Sequence, residues 1–251
     1  MRHSEESQDT VAAGGAAPFV TTQWGQILQA RDGPDAEGAA ALASLCQAYW
    51  YPLYAFVRRQ RHSAHDAQDL TQEFFARLLA GNFLDSVSPS KGRFRSFLLA
   101  SMKHFLANEW DKSRAIKRGG GQPLVSIDEE SAEGRYLVEP TDTLTPEKLF
   151  EKQWALALLA RVLDRLRAEH LRSGKEGLFE RLKGCLTGDK DFVGYADLAA
   201  QLKVSEGAVK VAVHRLRSRY RELLMAEISQ TLTSPEEVQD ELRHLLAALG
   251  G

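Results

Sequence analysis

The chain has 251 residues, of which 43% are hydrophobic and 26% charged, enough apolar material for one large or two small domains and too much for a structureless tail or a fibrous repeat. Its 32 Lys and Arg against 34 Asp and Glu leave a net charge of −2, so the whole-chain balance does not point to a nucleic-acid partner. Cys46 and Cys185 lie far apart without a CxxC or Cys/His companion, which argues against a disulfide framework or a zinc knuckle and fits a reducing cytoplasm. The N-terminus carries early acids and no apolar core of signal length, and no stretch approaches ~18 uninterrupted apolar residues, so neither secretion nor membrane insertion is expected.

Apolar residues recur mostly at three- and four-residue spacing, and no strictly alternating run bounded by hairpin turns occurs. The expected fold is all-α: two small helical domains joined by a flexible acidic linker, the second containing a helix-turn-helix. Residues 1–18, rich in Ser, Ala and Gly, read as a disordered tail. The first domain spans 19–118. It opens with a short capped helix stopped by Gly33-Pro34 and continues with a helix from Ala39 to about Arg61, bent at Pro52. Next comes a helix from about His65 to Ala80 with Leu70, Phe74, Phe75, Leu78 and Leu79 on its apolar face. The last runs from Phe94 to about Lys117, with Phe97, Leu98, Met102, Phe105, Leu106 and Trp110 in one stripe.

Gly119-Gly120-Gly121 closes that domain, and residues 119–145 have the composition of a flexible linker. Thr145, Pro146 and Glu147 form an N-cap, first-turn proline and first-turn acid. They start a helix, to about His170, that is expected to bury Leu149, Leu156, Leu159, Leu163 and Leu166 within a second domain, residues 146–225. Residues 226–251 form an acidic helical extension, capped at Ser234-Pro235-Glu236-Glu237, with Val238, Leu242, Leu245, Leu246 and Leu249 as its stripe.

Charge is segregated along this frame. Residues 91–118 carry a net +6 and residues 203–224 a net +4, while residues 126–151 between them carry −6. Two basic blocks flanking an acidic connector suit two contacts with one polyanion, because phosphate neutralisation supplies much of the affinity for nucleic acid.

The most specific local pattern runs from Tyr195 to Leu216. Leu198, Ala199 and Leu202 give a first helix its inner face, Val204 turns the chain inward, and Ser205 caps a second helix with Ala208, Val209, Ala212 and Val213 inside. Ala199 leaves room for the steep crossing of the two helices. Glu206, Gly207, Lys210, Val211, His214 and Arg217 then face outward, as in a helix that reads a major groove, with Arg215, Arg219 and Arg221 placed for phosphates or solvent.

At this point residues 43–225 resemble a bacterial RNA polymerase sigma factor of the extracytoplasmic-function (ECF) type, in the sigma-70 superfamily. Three stretches carry the resemblance. His65-Asp-Ala-Gln-Asp-Leu-Thr-Gln-Glu-Phe-Phe-Ala-Arg-Leu-Leu79 is similar to the core-polymerase-binding helix of region 2, which implies Asp66, Asp69, Gln72, Glu73 and Phe75 as the binding face and its anchor. Lys91 to Asn108 and the basic run to Arg118 are similar to the helices that melt and read the minus-ten element. This implies DNA contacts from Arg93, Arg95, Lys103, His104, Asn108, Trp110, Lys112, Arg114, Lys117 and Arg118. Trp110 is suited either to stacking on an unpaired base or to the core. Residues 195–221 are similar to region 4, which reads the minus-thirty-five element, here through Ser205, Glu206, Gly207, Lys210, Val211, His214, Arg215, Arg217 and Arg219. The family usually has Asn and Asp where this chain has His104 and Asn108.

The resemblance implies core RNA polymerase and promoter DNA as partners, with an anti-sigma or other regulatory protein as a further one, and implies no cofactor, membrane partner or enzymatic activity. No P-loop, dinucleotide fingerprint, nucleophile elbow or zincin motif occurs. His62, His65, Asp66, Asp69 and Glu73 share one helix face but read as a solvated surface rather than a metal site. The competing reading is a helix-turn-helix transcriptional regulator acting without core polymerase, which leaves the 65–79 and 91–118 stretches unexplained.

Overall fold

The structure is a computed structural model that describes residues 36–79, 93–113, 129–138, 144–187, 194–232 and 234–250. Every regular element among them is helical, as the apolar spacing requires. The tail, the short helix before Gly33-Pro34 and the Gly119-Gly120-Gly121 break lie outside the described residues.

Helix α1 (Ala36–Arg59) is the centre of the first half. From Cys46 to Val57 only Gln47 is exposed, and a helix apolar on all sides must be wrapped by others. Helix α2 (Ala64–Leu79) packs along it, and α3 (Phe94–Ser113) closes over both through aromatic edges. Phe94 meets Tyr49 at 5.4 Å and Phe105 meets Phe74 at 5.8 Å between ring centroids, both edge-on, the geometry that aligns ring edges with ring faces.

The connector is not structureless. Helix α4 (Glu129–Val138) lies within it and is clamped to α1. Glu133 accepts from Arg58 Nε at 2.9 Å, Arg58 Nη2 at 2.6 Å and Tyr54 Oη at 2.5 Å. Arg135 sits 3.7 Å from the Tyr51 ring centroid. Glu133 and Arg135, two of the charged residues that gave this segment the composition of a linker, find partners on α1, which composition alone cannot show.

Helix α5 (Pro146–Arg172) begins as its cap residues predict, with Thr145 Oγ1 accepting from Lys148 N at 3.3 Å and Pro146 in the first turn. It ends at Arg172, and beyond its cap Ser173 the φ of +67° at Gly174 favours glycine and lets Lys175 N reach His170 O at 2.8 Å, satisfying a terminal carbonyl. Its buried face keeps Leu149 and Leu166 of the leucine stripe expected and departs from it between them. Phe150, Trp154, Leu158, Val162 and Leu166 recur every four residues and point inward, whereas Leu156 is 38% exposed.

That inward face packs chiefly on α1, and α9 and α10 pack on α5 as well. The helix expected to belong to the second half is therefore shared between both halves. Short helices α6 (Glu176–Leu182) and α7 (Gly184–Thr187) lead to α8 (Tyr195–Leu202) and α9 (Glu206–Ser229), and a 3-10 turn at Pro235–Glu237 precedes α10 (Val238–Gly250). Helix α9 runs unbroken past residue 225, so the extension begins inside it rather than after it.

Candidate polymerase and nucleic-acid interface

The outward surface of the first half is built by α2 and α3. Asp66, Asp69 and Glu73 are exposed and Gln72 is half-buried on α2, at spacings of three and four that gather carboxylates on one face. Ser63 caps the helix, its Oγ accepting from Asp66 N at 3.1 Å and donating to the Asp66 carboxylate at 2.7 Å. Glu73 is held by Arg77 Nε at 2.7 Å, and the same guanidinium reaches Glu109 on α3 at 2.7 Å while covering the Phe105 ring. Phe75 is only 2% exposed. It belongs to the core beneath the face and supports α2 from inside, not as a contact residue.

Helix α3 turns Phe94, Leu98, Met102 and Phe105 inward. The opposite stripe consists of Ser96, Ala100, Lys103, His104, Ala107, Asn108 and Trp110, all exposed. Trp110 is 63% exposed, which removes it from the core. A cleft of about 730 Å³ lies between the helices, lined by Asp66, Asp69, Lys103, Leu106 and Trp110 among others. Lys103 is bound at 2.7 Å by Glu147 in the first turn of α5, and that ammonium holds the Glu147 carboxyl below its ordinary range.

The start of α3 departs from the sequence expectation. Arg93 and Arg95 were expected to meet phosphates, yet Arg95 is buried between Glu151 of α5 and Glu241 of α10, and Arg93 is paired with the same Glu241. Their charge is internal in this conformation, and it is the tertiary contact between the halves that takes it from the surface. Lys112 lies in α3 with its side chain outside the described residues, as are Arg114, Lys117 and Arg118 altogether.

The second surface is the α8–α9 pair. Lys203 closes α8 in the left-handed conformation with φ 54°, and Val204 N bonds Ala199 O at 3.1 Å. This motif demands only one left-handed residue and leaves Val204 47% exposed, against the expectation that it turns inward. Ser205 caps α9, its Oγ accepting from Ala208 N at 3.2 Å. Leu198 and Ala199 face Val209, Val213 and Leu216 inside, while Ala208 is exposed.

Glu206, Gly207, Lys210, Val211, His214 and Arg215 are all exposed on α9. Lys210 pairs with Glu206 one turn back at 2.7 Å, which raises the pKa of its ammonium. Arg217 donates to the Cys185 carbonyl at 3.0 and 3.3 Å, so it ties α9 to α7. Arg219 is held by Glu169 and Glu222 at 2.8 to 2.9 Å, anchoring α9 to the end of α5.

Sequence reasoning passed over Glu241, Glu227 and Glu133. A signal existed for the first two. Glu241 stands between Val238 and Leu245, and Glu227 between Leu223 and Ile228, at positions where the buried stripe calls for an apolar residue.

No curated protein and no solved structure matches the chain significantly. Residues 45–116 match the family model for Sigma-70 region 2, a stretch that covers the buried part of α1, all of α2 and all of α3, and with them the carboxylate face and the exposed Trp110. No described helix is long and apolar enough to cross a membrane. The part of α1 from residue 45 together with α2 and α3 is thus similar to region 2 of the sigma-70 superfamily, and the match is consistent with a member of that superfamily.

Proposed function

We propose that this chain is a sigma factor of the ECF type, which binds core RNA polymerase through region 2, recognises promoter DNA with regions 2 and 4, and promotes transcription initiation. The observation that carries the proposal is the coincidence of the region 2 match with a surface fit for both tasks. Exposed Asp66, Asp69 and Glu73 on α2 suit a basic partner, and the small and polar stripe of α3 ends in the exposed ring of Trp110.

Region 4 is assigned to α8 and α9. Its support is the capped second helix with Lys210 and His214 one turn apart on an open face, a spacing that lets both reach base edges in one groove. Opening of the duplex would be assisted by Trp110, since base–aromatic stacking contributes roughly 1–3 kcal/mol per base.

Run-off transcription with purified core enzyme tests the proposal. The full chain is expected to direct initiation from its promoter. The double substitution Asp69→Lys with Glu73→Lys is expected to abolish co-purification with core at moderate salt while leaving helix content intact, because both side chains are exposed. Initiation that needs no added chain, or a double variant that still binds core, would refute the assignment.

A further inference from the structure

Helix α10 lies across both halves of the molecule, packed on α5 and α9, and it buries one charge. Glu241 is fully buried between Val238 and Leu245, which hold the same face against the interior. Its Oε1 accepts from Arg95 Nε at 2.7 Å and its Oε2 from Arg95 Nη2 at 3.0 Å, a parallel two-bond fork, while Arg93 Nε approaches Oε2 at 2.9 Å. The remaining Arg95 nitrogen, Nη1, is taken by both oxygens of Glu151 on α5 at 2.7 Å. The guanidinium lies 4.7 Å from the Trp154 ring centroid. Burial pushes the Glu151 carboxyl above its ordinary range, so this cluster carries a desolvation cost.

A second buried carboxylate continues the chain of contacts. Glu227, near the end of α9, meets Arg161 at 2.8 Å and Arg165 at 2.7 Å on α5. The α8–α9 pair is thereby fixed to α5, and α10, joined to α9 through residues 230–237, fixes both to the start of α3.

An apolar residue at position 241 would pack on the same stripe without desolvating a charge, and buried ion pairs are weak sources of net stability. What the carboxylate adds is selectivity for a guanidinium fork, and a phosphate offers that fork the same pair of oxygen acceptors. Arg93 and Arg95 can therefore exchange Glu241 for a DNA phosphate with no change in the kind of bond.

We propose that α10 is an intramolecular lock: it withholds Arg93 and Arg95 from DNA and holds the α8–α9 pair against region 2, until binding of polymerase and promoter displaces it. This rests on the promoter-recognition reading above. In the free chain the basic block at the start of α3 is neutralised from within. In the engaged chain α10 leaves the cluster, Arg93 turns to phosphate, Arg95 shares its guanidinium between Glu151 and phosphate, and the two DNA-reading units separate.

The test is duplex binding by the full free chain across a salt series, comparing it with Glu241→Gln, which keeps the shape of the side chain and removes the charge. Arg93 loses its Glu241 partner and Arg95 keeps only Glu151, so the slope of log K against log salt should steepen by about one to two units and binding at low salt should tighten by about tenfold. An unchanged slope and affinity in a folded variant overturns the lock. A measurement on the unsubstituted chain guards against misfolding of the variant: amide hydrogen exchange in α10 should accelerate when core enzyme and promoter DNA are added. Equal or greater protection overturns the lock. A chain that supports run-off transcription yet keeps α10 protected discards only the lock, whereas a chain that binds neither core nor promoter discards the promoter reading with it.

Discussion

The two basic blocks of the sequence look alike on paper and behave differently in the structure. At the start of α3 the arginines are buried or half-buried and shared by carboxylates from distant helices, Glu151 and Glu241. On α9 the cations stay at the surface. Lys210 leans on Glu206 of its own helix, and Arg219 bridges Glu169 and Glu222 while remaining about half exposed. A net charge counted along a sequence is thus not the charge a molecule displays. Burial decides which pairs lock the structure and which can be given up to a ligand, because an exposed ion pair is held by less than about 1 kcal/mol.

The sharpest way to break this contrast is Arg95→Ala. It strips Glu241 of its fork and Glu151 of its partner, and removing one side of a buried pair typically destabilises by about 3–5 kcal/mol. Denaturant melts should show a loss in that range for Arg95→Ala and less than about 1 kcal/mol for Arg219→Ala. Equal losses would mean the two blocks are not different in kind.

Trp110→Ala sets the exposed end of α3 against its buried start. Stability should change by no more than about 0.5 kcal/mol, as for a surface position, while promoter opening loses roughly 1–3 kcal/mol of stacking. Permanganate reactivity of the opened strand reads the second effect; undiminished opening would take Trp110 out of the DNA interface.

On α9, Lys210→Ala should relax preference at one base of the minus-thirty-five element at a cost of ~1–3 kcal/mol. Arg215→Ala, at an exposed position beside the reading face, should weaken all duplexes alike and flatten the salt slope by about one unit. Selection from a randomised duplex pool separates the two, and an unchanged preference in Lys210→Ala would remove that residue from the reading set.

The smallest effect is on pH. Arg58 beside Glu133 holds its carboxyl below the ordinary value of 4.5, as Arg219 does for Glu169. A depressed folded value contributes stability that is present above the ordinary value and lost as pH falls through the folded one, since the unfolded state binds the proton first. Glu151 has the opposite sign: its raised value favours the fold in acid and opposes it as pH rises through that value. Amide exchange in an acid titration should therefore show α4 releasing from α1 before the Glu151 contact opens. The reverse order would contradict the assignment of Arg58 as the clamp.

The sequence alone determined the helical class, the bounds of most helices to within a few residues, the caps at Thr145 and Ser205, and the gathering of Asp66, Asp69 and Glu73 on one face. These depend on spacing and on hydrogen bonds within a few residues, which are local properties of the chain. Only the tertiary structure decided that the segment between the blocks holds a helix clamped to α1, that Trp110 faces out from the end of an apolar stripe, and that α5 serves both halves. It also decided the fate of Arg93 and Arg95. Their partners stand 56 and about 146 residues away along the chain, and no periodicity within α3 reports what a helix at the far end of the sequence brings to meet it. A buried stripe interrupted by a single glutamate was the one local trace of that meeting, and its meaning came from the cations packed against it.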